Sequence, residues 1–386
     1  MKQQKKLRVM TIFGTRPEAV KLAPVIKKLE ENSDIFESII CVTAQHRQML
    51  DQVLNLFNIK PDYDLNIMKP NQTLFELTSN VLLGLQPILE EEKPDIILVQ
   101  GDTTTVFVAS LAGFYLKIRI GHVEAGLRTF QKYSPFPEEI NRKITTCLAD
   151  LHFAPTETSK KNLLDEKINE QAILVTGNTV IDALFLTLDK LKRDKEKNTF
   201  NPKVKEMVKL CDSLKKDNKI ILVTGHRREN FGEGFDHICH AIKEIASKNP
   251  NVDVIYPVHL NPNVRKPVND IIKNIKNVHL IEPLDYEPFV YLMNKSYLIL
   301  TDSGGVQEEA PSLGKPVLVM RDTTERPEAV IAGTVKLVGT DKNLIINETQ
   351  KLLDNEEEYK KMSMSHNPYG DGKASQRIID ALKVFV

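Results

Sequence analysis

The chain has 386 residues, of which 41% are hydrophobic and 27% are charged, with 52 basic and 52 acidic side chains. This length predicts two domains, and the composition is typical of an ordinary globular protein. The zero formal net charge argues against a general nucleic-acid binder and against a membrane-surface binder, because both classes carry a basic excess.

Cysteine usage and hydropathy indicate a cytoplasmic protein. The four cysteines are far apart and form no CxxC pair, which predicts buried free thiols rather than disulfides or a zinc site: Cys41, Cys147, Cys211 and Cys239. The apolar run after the basic amino terminus is too short for a signal peptide. The longest apolar stretch, near Val106–Leu116, is too short to span a bilayer.

Short β-branched runs alternate with longer amphipathic segments along the whole chain. The predicted strands are Arg8–Phe13, Ser38–Thr43, Ile96–Gln100, Arg119–Val123, Leu151–Ala154, Ala172–Thr176, Lys219–Thr224, Asp253–Pro257, Val278–Ile281, Tyr297–Thr301, Pro316–Met320 and Val335–Val338. The clearest helical segments are Ala19–Asn32, Thr73–Glu91 and Glu233–Lys248. This alternation predicts an α/β fold with parallel sheets that are covered on both faces.

Six strands in each half predict two doubly wound Rossmann-like domains. The charged stretch that begins Asp189–Lys219 is typical of a linker or a solvated helix end, so we place the domains at 1–188 and 189–370. A last helix, roughly Ala374–Val384, forms the segment 371–386, which could pack back on the amino-terminal domain. Ligands of such sheets bind beyond the carboxyl ends of the strands, so we expect the active site in a cleft between the domains.

The pentapeptide RPEAV occurs twice, at residues 16–20 and 326–330. Proline favours the first turn of a helix, and glutamate there suits the helix dipole. Both copies therefore predict a helix start with an arginine, Arg16 or Arg326, just outside it, which is suited to bind an anion. Plain helix capping is the alternative. Lys21 could reach the same ligand as Arg16, although a lone lysine is most often a surface residue.

Three acidic residues follow predicted strands of the first half. Asp102 in GDTTT is either a site residue or a helix N-cap. Glu124 in HVEAGLRT is either a catalytic carboxylate or a buried ion-pair partner. Glu138 in SPFPEEINR shares a helix face with Arg142, either within a site or as a surface salt bridge.

Two loops of the second half predict phosphate contacts. In the segment TGHRREN at 224–230, three consecutive side chains that can carry a positive charge follow a predicted strand: His226, Arg227 and Arg228. Such a cluster favours an anion site. The Ser303–Gly305 turn lets backbone N–H groups approach a diphosphate, and Glu309 could accept hydrogen bonds from ribose hydroxyls. The chain contains neither GxGxxG nor GxxxxGK[ST], so the patterns for nicotinamide and P-loop sites are missing.

Taken together, these loops resemble the non-hydrolysing UDP-N-acetylglucosamine 2-epimerases. The matching segments are GTRPEAVK at 14–21, GDTTT at 101–105, HVEAGLRT at 122–129, SPFPEEINR at 134–142, TGHRREN at 224–230, DSGGVQEEA at 302–310 and RDTTERPEAV at 321–330. The resemblance implies a GT-B-like fold, a homodimer, and interconversion of UDP-GlcNAc and UDP-ManNAc through loss of UDP to a 2-acetamidoglucal. It also implies a supply of ManNAc units for cell-surface polysaccharides, with neither a metal nor a cofactor.

The resemblance also implies site residues. Those for UDP are Arg16, His226, Phe289, Ser303, Gly304, Gly305, Glu309 and Arg326. The catalytic set is Asp102, Glu124 and Glu138, with His226 at the leaving group and Lys21 and Arg142 nearby. A second UDP-GlcNAc, acting as an activator, would be bound by Gln45, Gln48, Glu138, Arg227 and His259. Some activator-dependent relatives have a basic residue where this chain has Asn71, so the sequence leaves the need for activation open.

Four alternatives remain open at this point. A GT-B glycosyltransferase would share the fold and the nucleotide-binding turn but would need an acceptor. A hydrolysing epimerase would release free ManNAc and UDP, and a related epimerase could use a UDP-diacetamido uronic acid. A non-enzymatic nucleotide-sugar sensor is expected to lack the carboxylates, yet Asp102, Glu124 and Glu138 are all present.

Overall fold

The computed structural model describes residues 5–45 and 47–384, and only the backbone of Gln48. Two compact α/β units make up the chain. The first contains the chain up to Leu186 together with the segment from Tyr369 onward, and the second is Thr187–Pro368.

The first unit is built on a parallel sheet of seven strands in the order β3-β2-β1-β4-β5-β6-β7. The strands are β1 Leu7–Phe13, β2 Phe36–Val42, β3 Tyr63–Asp64, β4 Ile96–Gln100, β5 Arg119–Val123, β6 Leu151–Ala154 and β7 Ile173–Val175. The helices are α1 Arg16–Glu31, α2 Arg47–Leu56, α3 Leu74–Glu92, α4 Thr104–Tyr115, α5 Glu138–Leu148, α6 Glu157–Asp165 and α7 Thr179–Lys197, which continues into the second unit.

The second unit is built on a parallel sheet of six strands in the order β10-β9-β8-β11-β12-β13. The strands are β8 Lys219–Thr224, β9 Val252–Pro257, β10 Val278–Ile281, β11 Leu298–Thr301, β12 Val317–Val319 and β13 Val335–Leu337. The helices are α8 Pro202–Ser213, α9 Glu233–Lys248, α10 Pro262–Ile272, α11 Tyr286–Lys295, α12 Gly304–Glu309, α13 Pro327–Ile331, α14 Lys342–Asp354 and α15 Glu356–Ser363.

Burial of the central strands explains why they were recognisable in the sequence. All five residues of β4 are buried, and β5 is buried from its second residue onward. Strands of a parallel sheet are covered on both faces, so they are continuous apolar runs rather than alternating ones. The alternation of strand and helix segments in each half of the chain predicted a parallel sheet, and each half contains one.

Two expectations from the sequence were wrong. The first sheet has a seventh strand, β3, whose two residues are too few to give an apolar pattern. All four cysteines are free, but Cys147 is exposed and Cys211 is half-buried rather than buried.

The sequence allowed either a linker or a solvated helix end at Asp189–Lys219. Most of this stretch is helical, because its charged side chains lie on the exposed surface of α7 and α8 while Leu191 and Val204 are buried.

The carboxyl-terminal segment belongs to the first unit. Its helix α16, Ala374–Lys383, packs against α1. The buried Asp182 of α7 accepts hydrogen bonds from the backbone N–H groups of Ala374 and Ser375, at 3.1 and 2.8 Å. This carboxylate thereby satisfies N–H groups that have no partner inside α16.

Candidate active site

The strand order of each sheet reverses at one point. In the first sheet this point lies between β1 and β4, and in the second it lies between β8 and β11. Ligands of open α/β sheets bind at the carboxyl ends of the strands on either side of such a reversal. Arg16 follows β1, Asp102 follows β4, His226 follows β8 and Ser303 follows β11. Both sets of predicted site residues therefore lie at the position that the topology favours.

Glu124 is the centre of a buried polar cluster in the first unit. Its carboxylate accepts hydrogen bonds from Lys21 Nζ, from Gln100 Nε2 and, at 3.0 Å, from Asn178 Nδ2. The side chains of Lys21 and Glu124 are only 14% and 6% exposed, so Lys21 is not a surface lysine. Opposite charge and two amide donors together satisfy a carboxylate that would otherwise be costly to bury.

The backbone of Glu124 is in a conformation that side chains other than glycine rarely adopt. Its φ is +66°, in the left-handed region. Such a conformation costs on the order of 1–3 kcal/mol and persists only where the surrounding contacts enforce it. The Glu124 carboxylate pairs with the buried Lys21, so the ion pair considered as the alternative is formed. Backbone strain of this kind is also typical of residues at functional sites.

Asp102 is held by two neighbouring residues of α5. Arg142 Nη2 donates to Asp102 Oδ2, and Asn141 Nδ2 donates to the Asp102 backbone carbonyl at 2.9 Å. The N-cap of α4 is Thr103, whose hydroxyl accepts from Val106 N, so Asp102 is not the N-cap. The Asp102 side chain is 27% exposed, so it is both oriented and accessible to a ligand.

The two adjacent glutamates at the start of α5 have different environments. Glu139 is buried and accepts hydrogen bonds from the backbone N–H groups of Thr129 and Phe130, at 3.1 and 3.0 Å, and from Arg142 at 3.2 Å. Glu138 Oε2 is also buried, but it has no hydrogen-bond partner among the described residues. The ion pairs of Arg142 are to Asp102 and Glu139, so the surface salt bridge considered for Glu138 and Arg142 is not formed.

Arg16 and Arg326 enter their helices differently. Arg16 is the first residue of α1 rather than a residue outside it, and Thr15 is the N-cap. Arg326 is the N-cap of α13 and pairs with the buried Glu308, at 2.5 Å. The expectation of an arginine just outside both helices was therefore wrong for the first copy, because the helix begins one residue earlier than the proline rule predicts.

In the second unit the buried Asp302 organises the loop after β8. Its Oδ2 accepts the backbone N–H groups of His226 and Arg227, each at 2.7 Å. The His226 ring stacks on His259 with centroids 5.3 Å apart, and burial lowers the pKa of His226 below its ordinary value. Two N–H groups of the loop after β8 are thus bonded to the residue that directly precedes Ser303.

The turn after β11 carries the remaining nucleotide candidates. Gly304 and Gly305 begin α12, and a Cβ atom on Gly304 would lie 3.8 Å from the Arg326 guanidinium. Glu309, at the end of α12, accepts a hydrogen bond from Tyr286 Oη. Phe289 lies one turn after Tyr286 on α11 and is half-buried. Arg326 and the Gly304 turn therefore combine a cation with N–H groups at a helix start.

The residues predicted to bind an activator are divided between the units. Gln45 belongs to the first unit, where its Oε1 accepts from the Thr105 hydroxyl at 3.2 Å. Arg227 and His259 belong to the second unit. The side chain of Gln48 lies outside the described residues.

Several residues that support the site did not stand out in the sequence. Gln100 and Asn178 were overlooked because amides carry no charge signal. Glu139, Tyr286 and Asp302 were overlooked because only the fold brings them to their partners. Glu18 could have been noticed, since Thr15 and Glu18 fit the spacing of a capping box.

Within residues 5–45 and 47–384, no group of three or more His, Cys, Asp or Glu side chains is placed to hold a metal ion. Over the same residues, no helix combines the length and apolar character needed to cross a membrane.

Two buried histidines predict a loss of stability in acid. Burial lowers the pKa of His122 and of His152 to about 4, from ordinary values near 6.5. Both are neutral in the folded protein, so the stabilisation is present above pH 6.5 and is lost as the pH falls toward 4. We expect the free energy of unfolding to fall by roughly 3 kcal/mol per histidine over this window.

Urea unfolding from pH 7 to pH 4 measures this loss. The variant His152→Asn, which has no titrating ring, should lose less stability across the window than the unchanged protein. Equal pH slopes for the two proteins would contradict the assignment.

The sequence model of the family described as UDP-N-acetylglucosamine 2-epimerase matches residues 27–383. A UDP-N-acetylglucosamine 2-epimerase of Yersinia pestis is 62% identical over 98% of this chain and 98% of the relative. The chain belongs to the UDP-N-acetylglucosamine 2-epimerase family.

Solved structures agree with this membership of the 2-epimerase family. The crystal structure of the Neisseria meningitidis UDP-GlcNAc 2-epimerase bound to UDP-GlcNAc matches with a TM-score of 0.87 and 57% identity, over 97% of this chain and 99% of that one. The Methanocaldococcus jannaschii UDP-GlcNAc 2-epimerase in complex with UDP-GlcNAc and UDP matches with a TM-score of 0.77 and 37% identity, over 98% and 100%. The fold is therefore GT-B-like with two α/β domains, as the sequence predicted.

Proposed function

We propose that the chain is a non-hydrolysing UDP-N-acetylglucosamine 2-epimerase that interconverts UDP-GlcNAc and UDP-ManNAc. Membership of the 2-epimerase family supports the reaction class. The observation that carries the proposal is the group of three carboxylates, Asp102, Glu124 and Glu138, on loops and a helix start in the first unit. Nucleotide binding alone does not require so many acidic groups.

The chemistry explains why carboxylates and cations are both needed. The C2–H of the sugar is poorly acidic because no carbonyl is adjacent to it. Loss of UDP from C1 creates positive character there, and this acidifies the neighbouring C2–H. Deprotonation gives a 2-acetamidoglucal and UDP, and protonation of C2 on the opposite face with re-addition of UDP gives the epimer. This sequence requires a stabilised diphosphate and two proton-transfer groups.

The second unit supplies the groups suited to the leaving diphosphate. His226, Arg326 and the Ser303–Gly305 turn offer a ring N–H, a guanidinium and helix-start N–H groups, which stabilise negative charge as it develops. Glu309 would accept hydrogen bonds from the ribose hydroxyls, and Phe289 would contact the uracil ring. Arg16 of the first unit would add a further cation to the same ligand.

The environments of the three carboxylates suggest different tasks. Glu124 already accepts three hydrogen bonds, so we assign it to orienting Lys21 and the substrate. Glu138 Oε2 has no partner among the described residues and is suited to take or hold a proton. Asp102, oriented by Arg142 and 27% exposed, is the second proton-transfer group. We propose Asp102 and Glu138 as the pair that serves the two faces of C2.

The loop that carries His226 gives a prediction about nucleotide affinity. Asp302→Ala removes the acceptor of two backbone N–H groups in that loop, so we expect UDP binding to weaken by about 10-fold or more. The matched control is Asp253→Ala, another buried carboxylate of this unit, which bonds His279 and Asn218 near the start of β9. Calorimetric titration with UDP should show unchanged affinity for the control, and equal losses in both variants would contradict the role of Asp302.

The reaction is tested with UDP-GlcNAc and the protein alone, followed by NMR. We expect UDP-ManNAc at equilibrium with UDP-GlcNAc and no accumulation of free sugar. Free ManNAc with UDP would identify a hydrolysing enzyme, and turnover only after an acceptor is added would identify a glycosyltransferase. Reaction only with a UDP-diacetamido uronic acid would change the substrate, and binding without turnover would indicate a sensor.

Regulation and assembly are also proposals. We propose a cytoplasmic homodimer that supplies ManNAc units for cell-surface polysaccharides, with a second UDP-GlcNAc as activator. Exposed apolar side chains on α3 and at the end of α4, among them Phe75, Leu83, Phe114 and Tyr115, support a self-associating surface. Light scattering tests the dimer. Activation is tested by kinetics with pure UDP-ManNAc: a lag before turnover that disappears when a trace of UDP-GlcNAc is added would establish it.

A further inference from the structure

Glu18 is a buried carboxyl group that the proposed reaction does not use. It is 1% exposed, lies in the first turn of α1, and belongs to the first copy of RPEAV. Its Oε2 accepts the backbone N–H groups of Gly14 and Thr15, at 3.2 and 2.8 Å. Its Oε1 accepts the hydroxyl of Thr103 at 2.9 Å. One carboxyl group therefore joins the loop after β1 to the loop after β4.

Both joined loops carry proposed site residues. Arg16 follows directly after the Gly14–Thr15 turn, and Asp102 directly precedes Thr103. The Gly14 turn also lies close to the first turn of α4, which follows the Asp102 loop: a Cβ atom on Gly14 would lie 2.8 Å from Thr105 Oγ1. On its other side Asp102 is bonded by Asn141 and Arg142. Glu18 thus bonds the Asp102 loop, through Thr103, on the side of α1.

Helix capping alone does not explain the burial of this residue. At the start of α3, Glu76 accepts the N–H of the N-cap Thr73 at 2.8 Å, as Glu18 does for Thr15. Glu76 is exposed, and its hydrogen bonds with Thr73 lower its pKa. Burial instead raises the pKa of Glu18 to about 7, despite hydrogen bonds of the same kind. Helix capping alone does not require the carboxylate to be desolvated, whereas contact with Thr103 requires a buried glutamate.

We propose that Glu18 is a positioning residue that sets the place of Asp102 relative to Arg16 by joining the loops after β1 and β4. The inference rests on the proposed epimerase function, since it concerns the same site. A proton-transfer group displaced by about 1 Å can lose roughly 100-fold in rate. Loss of the Glu18 contact should therefore lower kcat, while nucleotide affinity, which depends mainly on the second unit, should change little.

The variants Glu18→Ala and Glu76→Ala form a matched pair, because each removes the glutamate that bonds an N-cap N–H. We expect kcat to fall by about 10- to 100-fold in Glu18→Ala with the KM for UDP-GlcNAc within about 3-fold. We expect Glu76→Ala to retain the kcat of the unchanged protein. Rates are expressed per site that binds UDP, so that a partly unfolded preparation does not imitate the effect.

Thr103 provides the second arm of the experiment. Thr103→Val should reproduce the kcat loss, whereas Thr103→Ser, which keeps the hydroxyl, should retain most of the rate. In the double variant, the effects of Glu18→Ala and Thr103→Val should not add, because both remove the same contact. Equal kcat for Glu18→Ala and Glu76→Ala, or additive effects in the double variant, would overturn the positioning role. If the unchanged protein forms no UDP-ManNAc, the proposed function fails instead, so the two failures are distinguishable.

Discussion

Asp102→Asn is expected to lower kcat for epimerisation by about 10³-fold while UDP binds with unchanged affinity. The amide has the shape of the carboxylate but cannot exchange a proton with C2. The backbone carbonyl of residue 102 still accepts from Asn141, and Arg142 keeps its ion pair with Glu139, so the loop should stay in place. Steady-state kinetics with UDP-GlcNAc and calorimetric titration with UDP give the two numbers.

The matched control for this variant is Asp95→Asn. Asp95 lies just before β4, whereas Asp102 lies just after it, and the two side chains are 32% and 27% exposed. Asp95 accepts hydrogen bonds from Lys5 and from the backbone of Arg8, away from the candidate site. Its variant should keep full kcat. A loss of less than about 10-fold in Asp102→Asn would remove Asp102 from the proton-transfer pair.

The adjacent glutamates of α5 should separate catalysis from stability. Glu138→Gln is expected to lower kcat by about 10²- to 10⁴-fold and to change the free energy of unfolding by less than about 0.5 kcal/mol. Glu139→Gln is expected to destabilise the first unit by about 1–3 kcal/mol, because Glu139 accepts two backbone N–H groups and pairs with Arg142. Denaturant unfolding and kinetics on both variants measure the contrast.

The opposite pattern would contradict these roles. If Glu138→Gln unfolded at lower denaturant while retaining kcat, Glu138 would be structural. If Glu139→Gln were fully stable yet inactive, the proton-transfer assignment would move by one residue along α5. Neither outcome affects the assignment of the nucleotide-binding turn in the second unit.

The sequence predicted the fold well because the strands of a doubly wound sheet are continuous apolar runs. The limits predicted for β4, β5, β6, β8 and β10 are those of the structure. The sequence did not predict β3, because only two residues pair with β2 and they show no apolar pattern. The composition of Asp189–Lys219 left a linker and a helix end equally open, because a helix with one buried face and many lysines has the composition of a linker.

The positions of several candidate residues were predictable because polar residues stand directly after predicted strands. Asp102, Glu124, His226 and Ser303 were identified in this way, and the topology places all four at strand ends. The sequence could not show that Arg142 pairs with Glu139 rather than with Glu138, because spacings of three and four residues both place two side chains on one helix face. The pairing of Arg142 with Asp102 joins segments that are distant in the sequence. Contacts between distant segments, such as Glu18 with Thr103, depend on the packing of β1 against β4.

The proposed reaction changes the configuration at C2 through exchange of its proton with solvent. The most direct measurement is NMR of UDP-GlcNAc incubated with the protein alone in D2O. The proposed reaction predicts that the UDP-ManNAc formed carries deuterium at C2, and that UDP-GlcNAc also acquires deuterium as the reaction reverses. UDP-ManNAc that retains the original C2 proton would contradict the mechanism.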